Sequence, residues 1–189
     1  MNYTLPVTAT VGGREYAIRS DYRAALDICA ALSDAELSNE EKAFAALVIF
    51  YEDFDKLPGD QYEEALRELL LFLTCGEPDR AQKSPKQVDW EQDFPRIVSA
   101  INKSAGTDVR AVPYLHWWTF VSYFYEIDGE TTFAAVVRIR SKLRKHRKLD
   151  KAEQEFYRAN REIVDFKNRY TDEEADFLAG LLGKQKDRA

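Results

Sequence analysis

Only two histidines, His116 and His146, and two cysteines, Cys29 and Cys75, offer this chain the side chains most often used as metal ligands or activated nucleophiles. His116 stands inside a run of aromatic residues, where a hydrogen-bonded core or interface imidazole is the simplest reading. No cysteine or second histidine stands four residues from it, so no helical metal pair can form. His146 is enclosed by a basic run. The cysteines are far apart and each sits in an apolar helical pattern, which describes buried free thiols of a reducing compartment better than a disulfide. Neither forms a nucleophile–base pair with a histidine, and there is no Gly-x-Ser-x-Gly elbow.

Paired carboxylates are plentiful: Glu40/Glu41, Glu63/Glu64 and Glu173/Glu174. Each falls in the first turn of an expected helix, where the macrodipole and the capping groups favour negative charge. That role accounts for them, and no acid–base dyad is assigned. Gly12-Gly13 lacks the strand, glycine-rich loop and helix of a phosphate site and reads as a tight turn. The sequence therefore predicts a protein that is not an enzyme and needs no metal or cofactor.

Two stretches remain that could recognise a partner. Arg138, Arg140, Lys142, Arg144, Lys145, Arg147 and Lys148 crowd into eleven positions around His146. They fit a grip on phosphates, a contact with the acidic Asp34–Glu68 surface of this chain or of a neighbouring copy, or a solvated helix C-terminus complementing its dipole. No aromatic platform interleaves the cations as single-strand binding would favour, which weighs against nucleic acid. The second stretch is the apolar run Tyr114–Glu126. Trp117 and Trp118 project about 100° apart on a helix, so one can enter a core while the other reaches elsewhere. Core packing suits Leu115, Trp118 and Phe124; Trp117, Phe120 and Tyr123, with Arg138, Arg140 and Arg144, are the candidate protein-contact residues.

The elements that must position these residues are well signposted. Leu5, Val7, Ala9 and Val11 alternate with threonines, Gly12-Gly13 turns the chain, and Tyr16 and Ile18 continue the alternation, predicting a β-hairpin with Pro6 at an edge. Ser20-Asp21 caps a helix to about Leu32. Ser38-x-x-Glu41 is a capping box ahead of Ala43, Leu47, Phe50 and Phe54, and Pro58-Gly59 ends that helix. Asp60-x-x-Glu63 opens the next, with Tyr62, Leu66, Leu69 and Leu73 on one stripe, closed by Gly76 and Pro78. Residues 77–88 read as a loop. A helix over Trp90–Ala105 tolerates Pro95 as a first-turn residue, and Gly106 closes it.

Pro113 starts the aromatic helix Tyr114–Glu126, Asp128-Gly129 turns, and Thr131–Leu143 follows. Asp150-x-x-Glu153 opens a more polar helix to about Phe166, and Thr171-x-x-Glu174 caps a short last one to Gly183, before a charged tail Lys184–Ala189. The fold class expected is mainly α, a helical bundle with a small N-terminal β-hairpin. Residues 1–149 form the core domain and 150–189 a C-terminal helical appendage or a part of the same domain.

The 189 residues suit one domain, and 45% apolar with 13% aromatic content argues against disorder. The net charge of −6 opposes non-specific binding to nucleic acid or anionic lipid by the molecule as a whole. The longest apolar stretches, such as Ala43–Tyr51, fall far below the roughly 18 residues of a membrane span. A cytoplasmic protein, without membrane contact, is the expectation.

Several strings, taken in order, resemble the bacteriophage gene-product-fifteen family of siphophages and prophages of Gram-positive bacteria. They are Ser-Asp-Tyr-Arg at 20–23, Leu-Ser-x-Glu-Glu-Lys at 37–42, Val-Asp-Trp-Glu-Gln-Asp-Phe-x-x-Ile at 88–97, Tyr-Leu-His-Trp-Trp-x-Phe at 114–120 and Arg138-Ile-Arg140. The resemblance covers roughly residues 1–160 and loosens after Leu149. It implies a non-enzymatic tail assembly chaperone of the host cytoplasm. Such a chaperone would coat the long tape measure protein before the tail tube polymerises, associate with itself, and have the major tail protein as a further candidate partner. Two other readings stay open: a structural tail or head–tail connector component, and a nucleic-acid-binding phage regulator using residues 138–148.

Overall fold

The computed structural model describes residues 4–77 and 87–167. They form one two-stranded antiparallel hairpin and eight α-helices, the mainly helical class the sequence predicts. Two compact units emerge. The first comprises described residues 4–77 and 114–119, the second 87–113 and 120–167. The expected helix from Thr171, the tail Lys184–Ala189 and positions 78–86 of the expected loop lie outside the described residues.

In the first unit β1 (Thr8–Val11) pairs with β2 (Arg14–Ala17), Ala9 opposite Tyr16. Ala9, Val11 and Tyr16 are buried, whereas Leu5 and Val7, which continue the same alternation upstream, are exposed. Gly12 has φ +55, a left-handed conformation that favours glycine, and the end of the Gln61 side chain lies over it. Its N–H donates to Glu64 Oε1 at 3.1 Å.

Asp21 caps α1 (Tyr22–Leu32) by accepting from the Arg23 N–H. Ser38 and Glu41 form the predicted capping box of α2 (Asn39–Phe50). This helix stops at Phe50, about two turns before the expected Pro58-Gly59 stop, and Phe54 falls outside it. Tyr51 is needed in extended form: it bridges to Ile18, while the Arg19 N–H donates to Phe50 O and the Glu52 N–H to Ala17 O. The Arg19 guanidinium then serves the released carbonyls of Val48, Ile49 and Tyr51 at 3.0, 2.7 and 3.0 Å.

A single 3-10 turn, Gly59–Gln61, leads into α3 (Tyr62–Leu73). Asp60 therefore stands within that turn, and no side chain caps α3. The core of this unit is Tyr22, Ile28, Leu47, Phe50, Tyr51 and Leu69, with the Phe50 and Phe72 rings 5.2 Å apart.

In the second unit α4 (Trp90–Ala105) begins and ends where expected, capped by Asp89 and closed by Gly106 at φ 69. Pro95 corrects the sequence reading. It is the sixth residue of α4, beyond the first turn, and lacks the N–H that Glu91's carbonyl would receive. The aromatic helix α5 (Trp117–Tyr125) also starts later than expected, because residues 114–116 run extended beside Ser20–Tyr22.

Thr131 caps α6 (Thr132–Arg144), and Asp150 and Glu153 form a second capping box at α7 (Lys151–Ala159). Asn160 leaves the helical region (φ −130, ψ 30), its amide donating to the Phe156 carbonyl. The expected continuous helix to Phe166 is thereby divided, and α8 (Arg161–Val164) follows. No described helix is long and apolar enough to cross a membrane.

Candidate protein-interaction groove

The aromatic string at 114–118 works as a joint within the first unit. Tyr22 and Trp117 donate their N–H groups to Leu115 O and Ser20 O, and Asp21 Oδ2 accepts from the Leu115 N–H. His116 is buried. Its Nδ1 accepts from the Trp118 N–H at 3.0 Å, so the ring proton sits on Nε2 and donates to Pro6 O at 2.9 Å. The Trp117 indole donates to Leu73 O and the Trp118 indole to Phe72 O, at 3.0 and 2.9 Å. Those carbonyls end α3, where Cys75 and Gly76 leave in the left-handed region. Two indoles thus do the work of a helix C-cap. Burial pushes the Cys75 thiol up to about 11, with the Glu77 carboxylate adding to it.

Arg140 does the corresponding work in the second unit. It is 3% exposed, and all five of its N–H donors are used. Nε donates to Val164 O at 2.7 Å, Nη1 to Asp93 Oδ2 at 2.6 Å and Gln87 O at 3.1 Å, and Nη2 to Asp93 Oδ1 at 3.0 Å and Ile163 O at 2.9 Å. Phe166 lies across its face at 4.1 Å. Asp93 is fully buried and also accepts from the Asp89 N–H. Gln92 extends the joint, donating to Asp165 O and accepting from the Lys167 N–H.

Beside this hub, on the other flank of α6, lies an open groove of ≈ 540 Å³. Phe124, Ile127, Phe133, Ala134 and Val137 line it with apolar surface, and Arg138, Lys142 and Arg147 bring cations to it. One buried carboxylate, Glu153, holds Lys142 at 2.6 Å and lies 3.5 Å from Arg138. Asp150 accepts from the Glu153 N–H and stands near Lys142, which holds its carboxyl below the usual range. The groove's apolar side chains thus form a floor beneath a cationic rim that Glu153 and Asp150 partly compensate.

The six candidate contact residues separate accordingly. Trp117 (3% exposed), Phe120 (0%) and Arg140 (3%) offer a partner almost no surface. Trp117 caps α3, Phe120 packs near Trp90, and Arg140 is the hub. Arg138 borders the groove. Tyr123 is half-buried and Arg144 exposed, its guanidinium 5.2 Å from the Phe166 ring. The groove's apolar lining was not singled out from the sequence, although Phe133, Ala134 and Val137 recur at helical spacing and flag that face. Among the described residues no group of three His, Cys, Asp or Glu could hold a metal ion.

Residues 1–166 match the family model described as Bacteriophage Gp15 protein, and the chain belongs to that family. It is a bacteriophage structural or morphogenesis protein on that ground. No curated protein and no solved structure matches it.

Proposed function

We propose, from membership of the bacteriophage Gp15 family, that this chain is a tail assembly chaperone that holds the tape measure protein before tail polymerisation, without enzymatic chemistry. The observation that carries the reading to a site is the groove beside α6. Its apolar lining is framed by Arg138, Lys142 and Arg147. A tape measure chain is long and helical, and its apolar faces need cover until tail protein surrounds it. A groove with apolar floor and charged rim supplies reversible cover of that kind. The residues that carry the family resemblance, around Trp117 and Arg140, are spent on the chain's own architecture, so client recognition falls to the groove.

Co-expression with the phage's own tape measure protein tests the reading. The expected outcome is a soluble complex of several copies per tape measure chain, with the tape measure insoluble alone and this chain missing from purified virions. No complex and no rescue of solubility would refute it. Recovery of the chain from virions would move it to a structural tail or connector role.

A further inference from the structure

Twenty-two residues, 168–189, follow Lys167, the last described one. They lie beyond residues 1–166 that the family model matches, so the family assigns them no role. The sequence predicts a helix among them from the Thr171 cap to Gly183. On such a helix Glu174, Phe177, Leu178 and Leu181 fall at i, i+3, i+4 and i+7, one stripe with Leu182 beside it. Glu173 stands on the flank of that stripe, at its acidic N-terminal end. A short helix of this kind holds its shape only where the apolar stripe is covered.

The groove beside α6 belongs to the same unit as Lys167. Its rim is not equally available. Glu153 already holds Lys142 and Arg138, and Asp150 lies near Lys142. Arg147 also borders the groove, is exposed, and meets no carboxylate among the described residues; the neighbouring Lys145 and Lys148 are exposed as well. The connection is long enough. The Lys167 N–H donates to Gln92 Oε1, and Gln87, which lines the groove, lies five residues before Gln92. Five residues span at most about 18 Å, whereas four extended and six helical steps carry Phe177 about 23 Å from Lys167.

We infer that residues 171–183 of the same chain occupy this groove as an amphipathic helix. Phe177, Leu178 and Leu181 bury against the floor, and Glu173 turns towards Arg147. The ≈ 540 Å³ of the groove admits a phenyl ring and an isobutyl group together. Because the segment is tethered, it meets the groove at a roughly millimolar effective concentration, whatever the concentration of protein. It keeps the apolar lining from casual contacts. If the groove receives the tape measure, as the proposed function holds, the client displaces the segment, and the groove stays closed until the client arrives. That consequence alone rests on the proposed function; the docking does not.

Hydrogen–deuterium exchange of the full chain, read by peptide mass spectrometry, tests the docking without any client. Amides of 172–183 should exchange at least about tenfold more slowly in the wild type than in Ala134→Glu, equally at low and high protein concentration. Phe177→Ser with Leu181→Ser, which leaves every described residue unchanged, should release the segment to the same degree. Should Ala134→Glu lose its helical circular dichroism, Arg147→Glu, at an exposed position, takes its place. Adding Glu173→Lys to Arg147→Glu should restore the protection.

Wild-type amides of 172–183 that exchange as fast as an unstructured chain would overturn the inference. So would protection that survives both groove variants, or protection that grows with protein concentration, which would seat the segment on a second copy. Adding the tape measure separates the two claims. Client binding that leaves the segment protected removes the groove as the client's site and leaves the docking standing. A protected segment in a chain that binds no client removes the chaperone reading alone.

Discussion

Arg140 serves five acceptors with one planar cation, a geometry an ammonium cannot copy. Arg140→Ala should cost about 3–5 kcal/mol in urea unfolding, because it leaves Asp93 charged and buried and strips the carbonyls of Gln87, Ile163 and Val164 of a donor. Arg140→Lys should recover little of that. A loss under about 1 kcal/mol would show that the hub is not structural. In sequence Arg140 hides among solvated cations, yet it follows Phe133 and Val136 at the i+7 and i+4 positions of the buried stripe, which is the signal that marks it. Its partner Asp93, forty-seven residues away, leaves no such mark, because pairing over that distance is decided by the fold.

Tyr51 allows a test with a sign. Its hydroxyl donates to Ala65 O at 3.0 Å, and burial, with Glu68 and Glu64 nearby, raises it well above the ordinary 10.0. The stabilisation is complete below pH 10.0 and declines as pH climbs above it, since the unfolded phenol ionises while the folded one stays neutral. Tyr51→Phe should flatten the alkaline fall in stability and cost about 1 kcal/mol at neutral pH. Cys75, pushed up to about 11, should react with a disulfide reagent at pH 8 about tenfold more slowly than a thiol at the ordinary 9.0, because its smaller thiolate fraction is partly offset by greater nucleophilicity.

At the scale of elements, local signals behaved according to how local their cause is. Asp21, Ser38 and Asp150 cap where their spacing says they should, because a cap involves only the next three residues. Ser38→Ala should cost about 1 kcal/mol in thermal or urea unfolding; no measurable change would mean that tertiary contacts alone fix the start of α2. Ends set by distant partners were not legible. Helix α2 stops early because Ile18 and Arg19 claim Tyr51 and the last carbonyls. Helix α5 starts late because Ser20 and Asp21 claim residues 115–117. The string Leu-His-Trp-Trp could be read as an interface for the same reason: only the end of α3 reveals that both indoles are occupied.

For the whole molecule, the hairpin, the helical class and the family were within reach of the sequence, and the residues that carry the resemblance turn out to build the two units. The groove was not, because it gathers Val88, Phe124, Ile127 and one side of α6 from three stretches of chain. The central claim is that the groove holds the tape measure, and the most direct measurement is capture of that client by the wild-type chain and by Ala134→Glu in parallel. The wild type should bring the tape measure into solution as a multi-copy complex, and a folded Ala134→Glu chain should leave it insoluble. Equal capture by both chains, or by neither, would contradict the account.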